Sequence, residues 1–301
     1  MSSRMTAHLE RNMLTVGSLF SGAGLCDLGL AWAGLKHQWF CEIDPFCRAV
    51  LARHWPGASI YKDVSGLRGA DLPPVDVLAG GFPCQDVSCA GAGAGIKQGT
   101  RSGLWHEYAR IIRETRPRYA IIENVRGLLA NGMEIVLREL ADIGYDAEWE
   151  VLPAGALGAP HHRERIFIVA YPHRDGADGE RRILHPLKGI VGNLHQHGSL
   201  AAWLGIRFDR ARRASALEAY PAPVLCRVDD GRAQGLDEAL RPLPVRARKL
   251  ARVDPATARA WMPRLRALGN AITPHQAYAV AACVLLAEGL PVPPPPDRGT
   301  I

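Results

Sequence analysis

The sequence lacks long apolar runs and paired cysteines. No run of apolar residues approaches the roughly 20 that a membrane-spanning helix needs, which argues against a membrane role. The seven cysteines are scattered without a CxxC pair, and no secretory leader is recognisable before the first predicted strand. These features predict free thiols and a cytoplasmic location, where the compartment is reducing.

The composition is that of a folded globular protein. The chain has 301 residues, of which 48% are hydrophobic and 22% charged, enough for one large core and a smaller lobe. The formal charge of +6 and the pI near 9.1 suit a polyanionic partner, although many basic proteins bind no nucleic acid.

Short apolar runs alternate with helical patterns between residues 14 and 171. This alternation predicts an α/β fold with a mostly parallel sheet, in which ligands bind at the carboxyl ends of the strands. The predicted strands are residues 14–20, 38–41, 75–79, 119–122, 148–152 and 165–170, and the predicted helices include residues 104–113 and 133–143.

The pattern changes after residue 171, where Gly, His, Arg and Pro become frequent. We predict a catalytic domain over residues 12–171, a variable second lobe over 172–254, a segment over 255–290 that returns to the first domain, and a Pro-rich tail over 291–301. The apolar run at 271–287 predicts a helix that packs on the first domain.

A glycine turn follows the first predicted strand. Gly22 and Gly24 stand between this strand and a predicted helix, where glycine lets the backbone approach a ligand. Glu42 ends the second strand, where a carboxylate can accept the hydroxyls of a ribose; a tight turn beside a surface acid is the alternative. Asp27 stands where a dinucleotide fingerprint has a third small residue, which favours an adenosine ligand without a pyrophosphate. Asp63 is a candidate acceptor for an adenine amino group, or a solvated loop acid.

Cys84 and Glu123 follow two further strands. Cys84 comes after Gly-Gly-Phe-Pro in a glycine-rich loop, which favours an exposed nucleophile over the more common buried thiol. Glu123 ends the strand at 119–122, where a buried carboxyl needs a role or a partner; the alternative is that it caps the next helix or pairs with one of the many arginines. The basic block at 161–165 can hold a phosphate or a base carbonyl through Arg163 and Arg165, or form a solvated charge run. His161 and His162 lack metal-ligand spacing, and we predict no metal site.

Together, and in this order, these segments resemble the cytosine-C5 DNA methyltransferase family. The matching blocks are residues 20–24 (FSGAG), Glu42 with Asp44, Asp63, residues 82–85 (FPCQ), 123–125 (ENV), 163–165 (RER) and 268–271 (LGNA) with Pro274. The chain departs from the family pattern at Leu25, where a second glycine is common, at His161, where glutamine is common, and at Ala90, where a hydroxyl residue is common.

The resemblance implies a Rossmann-like methyltransferase domain, a smaller target-recognition lobe and a role for each matching residue. Cys84 is implied as the nucleophile, Glu123 as the group that binds and protonates cytosine N3, and Arg163 and Arg165 as holders of the flipped base. The residues implied to bind S-adenosylmethionine are Phe20, Gly22, Gly24, Leu25, Glu42, Ile43, Asp63, Pro83 and Asn270.

The resemblance also implies the substrate. Duplex DNA is the expected partner of a monomeric enzyme, with a cognate restriction endonuclease as a further partner that the family allows. The recognition lobe offers Arg207, Arg210, Arg212 and Arg213, with Trp203 and Phe208, as DNA contacts or as a solvated helix face. Two alternatives stay open: methylation of RNA cytosine by the same chemistry, and a DNA-binding regulator without catalysis.

Overall fold

The computed structural model describes residues 13–83, 102–157, 159, 163–173, 182–187 and 272–295. The chain divides into two compact units, residues 1–207 with 272–301 and residues 208–271. Every described residue belongs to the first unit, so the fold given below is the fold of that unit. Most of the predicted recognition lobe lies outside the described residues.

Seven strands of the described residues form one sheet. The strands are β1 (Thr15–Leu19), β2 (Lys36–Cys41), β3 (Ser59–Tyr61), β4 (Val77–Gly81), β5 (Tyr119–Val125), β6 (Tyr145–Pro153) and β7 (Glu164–Pro172). Their order is β3-β2-β1-β4-β5-β7-β6. The pairs from β3 to β5 are parallel, and β7 is antiparallel to both of its neighbours. The predicted mostly parallel sheet is confirmed.

Helices flank this sheet on both faces. They are α1 (Leu25–Trp32), α2 (Pro45–His54), α3 (Trp105–Thr115), α4 (Leu128–Asn131), α5 (Met133–Ile143) and α6 (Pro274–Ala287), with short 3-10 turns at Val64–Gly66, Gly69–Asp71, Ser102–Leu104 and Ala154–Leu157. The predicted helix at 133–143 is confirmed to the residue, and that at 104–113 begins one residue later and ends two residues later. The predicted strands are confirmed within a few residues at each end.

Alternating side chains of the strands build two hydrophobic cores. Ile121 belongs to the core beneath α1 and α6, whereas its neighbour Ile122 belongs to the core beneath α3 and α5. Helix α6 lies directly on α1, where a side chain at Gly29 would meet the Pro274 carbonyl oxygen at 2.0 Å. None of the helices within the described part of the chain is long and apolar enough to cross a membrane.

Candidate active site

The carboxyl ends of β1, β2, β4 and β5 meet at one edge of the sheet. Successive strands run outward from β1 through β2 to β3, and then from β4 to β5 on the other side. The order in which the strands are added to the sheet therefore reverses between β1 and β4. Open α/β sheets bind their ligands at such a point. The predicted residues Phe20, Glu42, Pro83 and Glu123 all stand at this edge.

Glu42 is a buried acceptor directly after β2, only 8% exposed. Its Oε2 accepts the Gly22 amide N–H at 2.7 Å and its Oε1 accepts the Asp44 amide N–H at 2.8 Å. Arg48 fixes the same turn from α2 by donating to the carbonyl oxygens of Glu42 at 2.9 Å and Ile43 at 2.6 Å. Each carboxylate oxygen keeps a lone pair that a ligand hydroxyl can use.

The two glycines of the first turn have different reasons to be glycine. Both have left-handed backbones, with φ of +55° at Gly22 and +80° at Gly24. A Cβ at Gly22 would meet nothing within 4 Å, so this backbone faces open space beside Glu42. A Cβ at Gly24 would lie 2.8 Å from the Trp55 ring and 2.9 Å from Leu51. Gly24 is therefore required by internal packing, which adds to its predicted place in the cofactor turn.

Ile43 and Asp63 are exposed residues shortly after the ends of β2 and β3. The Ile43 side chain is 61% exposed, which is unusual for a large aliphatic residue next to a strand end. Asp63 accepts the amide and the hydroxyl of Ser65 at 3.0 and 2.8 Å, both through Oδ1, and these bonds lower the pKa of its carboxyl.

Two further predicted cofactor residues flank the glycine turn. Phe20 stacks on Tyr108 with 6.3 Å between ring centroids, and Leu25 is the half-buried first residue of α1.

Glu123 is enclosed by the neighbouring strands. Its side chain is 16% exposed, and its Oε1 lies 3.0 Å from Arg165 Nε. On β4 the paired residue is Gly81, where a Cβ would lie 2.3 Å from Glu123 Oε2. Burial raises the pKa of the Glu123 carboxyl above its ordinary value, although the charges of Arg165 and Arg163 oppose this shift. The carboxyl is therefore suited to hold a proton.

The end of β4 is held against the end of β5. Asn124 Nδ2 donates to the Phe82 carbonyl oxygen at 3.1 Å, and the Phe82 ring packs on Trp105 at 5.4 Å between centroids. These contacts fix the backbone two residues before Cys84. Asn124 belongs to the matching block at 123–125, but this role could not be predicted, because an asparagine amide that binds a distant carbonyl leaves no spacing signal.

Several predicted residues lie outside the described residues. These are Cys84, Asn270, His161, His162, Trp203, Phe208 and the four arginines between 207 and 213. The described cysteines are Cys26, Cys41, Cys47 and Cys283, all of them free. Burial raises the pKa of the last three thiols to about 12, and burial with the nearby Asp27 and Glu123 charges raises that of Cys26 well above its ordinary value. None of these four suits a thiolate nucleophile.

A sheet of this order, with helices on both faces and acidic residues at the carboxyl ends of two strands, defines a Rossmann-like α/β domain. The family model for "C-5 cytosine-specific DNA methylase" matches residues 14–191, which are 178 of the 301 residues. The chain belongs to this family, and the predicted family resemblance is confirmed. Within the described residues, no cluster of three His, Cys, Asp or Glu side chains could hold a metal ion.

Two relatives share sequence with this chain, and one solved structure shares its fold. Type II methyltransferase M2.BsuMI of Bacillus subtilis is 37% identical over 173 residues, covering 55% of this chain and 44% of the relative. Type II methyltransferase M.Eco47II of Escherichia coli is 41% identical over 181 residues, covering 57% of this chain and 42% of the relative. The matched part of the chain thus spans less than half the length of these relatives. The S. pombe Dnmt2 methyltransferase shares the fold at a TM-score of 0.57 and 18% identity, covering 92% of this chain and 98% of that one.

Proposed function

We propose that this chain transfers a methyl group from S-adenosylmethionine to C5 of a flipped-out cytosine in duplex DNA, through a covalent bond between Cys84 and C6. The observation that carries the proposal is the buried Glu123 carboxyl, with its raised pKa, beside Arg165 and next to the strand end that leads into Cys84. Membership of the family supports the reaction class.

The turn around Glu42 fits the adenosine end of S-adenosylmethionine. Gly22 leaves open space beside the carboxylate, whose oxygens can still accept the two ribose hydroxyls. The exposed Ile43 offers an apolar surface for the adenine ring, and Asp63 Oδ2 can accept from its amino group. When bound, the cofactor supplies an electrophilic methyl group on its sulfonium.

Cytosine C5 needs activation because it is a weak nucleophile. In the proposed reaction the Cys84 thiolate adds to C6 while Glu123 donates its proton to N3, which makes C5 an enamine carbon. C5 then attacks the methyl carbon of the sulfonium, whose carbon–sulfur bond breaks with its electron pair going to sulfur, so that S-adenosylhomocysteine leaves. Loss of the C5 proton to a base re-forms the C5–C6 double bond, expels the thiolate and returns the N3 proton to Glu123. The covalent route divides one difficult step into easier ones.

Glu123 and the two arginines divide the work at the base. Burial raises the pKa of the Glu123 carboxyl and so favours its protonated form, and the Arg165 guanidinium orients the carboxyl from 3.0 Å. Arg163 and Arg165 also carry forked donors suited to a base carbonyl or a phosphate. Because C6 is attacked perpendicular to the ring, the target base must first leave the duplex stack.

Transfer of a labelled methyl group tests this proposal. The purified chain is incubated with labelled S-adenosylmethionine and either duplex DNA or tRNA, and methylated DNA is mapped by bisulfite sequencing. We expect label in duplex DNA at C5 of cytosine and none in tRNA. Label confined to tRNA would show that the substrate is RNA and not duplex DNA. Absence of label from both would overturn the proposed activity.

A matched pair of variants ties the activity to the site. Glu123→Gln removes the proposed acid, whereas Glu134→Gln makes the same change on α5, where the side chain is 83% exposed. Only the first variant should lose methyl transfer. Equal activities of the two variants would remove Glu123 from the reaction.

A further inference from the structure

One buried amide joins three segments near the site. Gln276 is the third residue of α6 and is fully buried. Its Nε2 donates to the carbonyl oxygens of Leu152 at 2.6 Å and Arg163 at 3.0 Å. Its Oε1 accepts the amide and the hydroxyl of Thr273 at 3.2 and 2.9 Å. Both amide protons and both acceptor lone pairs are therefore used.

The two carbonyls lie where β6 and β7 come together. The last residues paired between these strands are Pro153 and Glu164, so Arg163 stands just outside the ladder. Its carbonyl also accepts the Ala154 amide at 3.3 Å. The Gln276 amide thus bonds to the end of β6 at Leu152 and to Arg163, the residue just before β7.

Arg163 needs such a restraint because its backbone is strained. Its φ is +30°, in the left-handed region that residues other than glycine seldom adopt. A conformation of this kind is unfavourable and persists only where surrounding contacts hold it. The bonds to its carbonyl oxygen from Ala154 and Gln276 are such contacts.

This restraint bears on Glu123. Arg163 and Arg165 are separated by one residue, and both guanidinium charges act on the Glu123 carboxyl. Arg165 keeps its own orientation partly by donating from Nη1 to the Glu164 carbonyl at 2.9 Å. A change in the backbone at Arg163 would therefore displace both cations relative to the carboxyl.

We propose that Gln276 is a positioning residue, whose amide holds Arg163 in its left-handed conformation and so sets the two guanidinium groups against Glu123. The catalytic part of this inference rests on the proposed methyl transfer. Gln276 makes no contact with the substrate in this role, and it acts through the arginines.

Three variants separate this role from helix capping. Gln276→Met removes all four bonds at similar volume. Gln276→Glu keeps the acceptor for Thr273 but loses the amide protons, and it is the second variant should Gln276→Met fold poorly. Thr273→Val is the control, since it removes one bond to Oε1 and leaves both bonds from Nε2 in place.

We expect both Gln276 variants to lower kcat for methyl transfer by about 10- to 100-fold, since a displacement near 1 Å can have an effect of that order. KM for S-adenosylmethionine should stay within about twofold, and Thr273→Val should stay within about twofold in both constants. A loss of kcat in Thr273→Val equal to that in Gln276→Met would assign the effect to the helix cap and overturn the inference.

A double-mutant cycle supplies the sharper test. If Gln276 acts through the arginines on Glu123, Gln276→Met should lower kcat much less in the Glu123→Gln background than in the wild type. Fully additive losses would overturn the inference.

Hydrogen exchange at the Ala154 amide, which donates to the Arg163 carbonyl oxygen, measures how firmly this carbonyl is held and does not depend on methyl transfer. We expect faster exchange there in both Gln276 variants than in the wild type or in Thr273→Val. Unchanged protection would overturn the restraint itself. If the wild type transfers no methyl group, the proposed function fails, while this measurement still decides whether Gln276 holds the Arg163 carbonyl.

Discussion

The site contains two glutamates that stand at equivalent places on different strands and have different surroundings. Glu42 follows β2 and receives a backbone N–H on each of its oxygens. Glu123 stands near the end of β5, where its partner is the Arg165 side chain and burial raises the pKa of its carboxyl. The first carboxylate accepts hydrogen bonds from the backbone, whereas the raised pKa of the second favours its protonated form.

The surroundings of the two carboxyl groups differ because a different glycine lies beside each of them. Beside Glu42 the Gly22 backbone turns toward the carboxylate and leaves open space for a ligand. Beside Glu123 the paired Gly81 lets the two strands close over the carboxyl, since any Cβ there would meet Oε2 at 2.3 Å. One residue type thus serves cofactor binding on one side of the sheet and acid catalysis on the other in the proposed reaction.

The largest effect is expected at Cys84, the proposed nucleophile, which the reaction beside Glu123 requires and cofactor binding at Glu42 does not. With an oligonucleotide that carries fluorine at C5 of the target cytosine, addition and methyl transfer can proceed, but fluorine cannot leave as a proton would. We expect a denaturation-resistant adduct between protein and DNA that needs S-adenosylmethionine for full yield. Cys84→Ala should abolish both this adduct and methyl transfer.

Two other thiols serve as controls for the adduct. Cys89 is near in sequence, and Cys26 is close enough to Glu123 for that charge to contribute to its raised pKa. Alanine at either position should leave the adduct intact. A peptide mass that maps the adduct to Cys89 or Cys26 would show that the nucleophile is misassigned.

Glu123→Gln should have the next largest effect. The amide keeps the shape of the carboxyl but cannot deliver the proton to N3, so methyl transfer should fall by roughly 10² to 10⁴. Binding of S-adenosylmethionine, measured by calorimetric titration, should stay close to that of the wild type. A parallel loss of cofactor binding would mean that the two sides of the site do not act separately.

The pH dependence of kcat sharpens this contrast. In the proposed reaction Glu123 acts in its protonated form, so the rate should fall as the pH rises through its pKa. Because burial raises that pKa, the fall should begin at a higher pH than for an ordinary glutamate, whose pKa is near 4.3. Arg165→Met removes an opposing charge and should move the fall to still higher pH. If kcat of Glu123→Gln still falls at the same alkaline pH, the fall reports the titration of an ionisable group other than Glu123.

The fold was largely predictable, because hydrophobic periodicity marks the elements that build the two cores. Helix α5 at Met133–Ile143 has a strongly amphipathic sequence and was predicted at its true bounds. Strand β3, only three residues long at Ser59–Tyr61, was not predicted, since so short a run has no measurable period. The antiparallel direction of β7 was also not predicted, because alternation along a chain does not fix strand direction.

The site was predictable where residues stand at strand ends, as Glu42 does directly after β2 and Glu123 does near the end of β5. Side-chain bonds to backbone carbonyl oxygens could not be predicted from the sequence. Arg48 reaches back to carbonyl oxygens that any residue type would offer, and Gln276 bonds to segments more than 100 residues away. A local sign of Gln276 did exist, since Thr-Pro-His-Gln has the spacing of a helix capping box. That pattern predicts the cap but not the bonds to Leu152 and Arg163.

On the cofactor side, Glu42→Ala should weaken S-adenosylmethionine binding by about 1 to 3 kcal/mol, because charged hydrogen bonds to the ribose are lost. Calorimetric titration of the free protein measures this change. Glu107→Ala, a partly buried glutamate on α3 that pairs with Arg110, is the matched control. Unchanged affinity in Glu42→Ala would mean that its two amide contacts serve only the turn.

Ile43→Ala should have the smallest effect and is the most selective probe of the cofactor side. Its side chain is 61% exposed, so truncation should scarcely change the free energy of unfolding of the free protein. If the adenine ring covers this side chain, partial loss of apolar contact at about 0.8 kcal/mol per buried methylene should weaken binding by about 1 kcal/mol, or roughly fivefold. Leu286→Ala on α6 removes a similar side chain that is 49% exposed and should leave binding unchanged. Calorimetric titration and thermal unfolding of both variants decide the outcome: equal affinities with a lower Tm for Ile43→Ala would make Ile43 a structural residue and leave the adenine without its proposed surface.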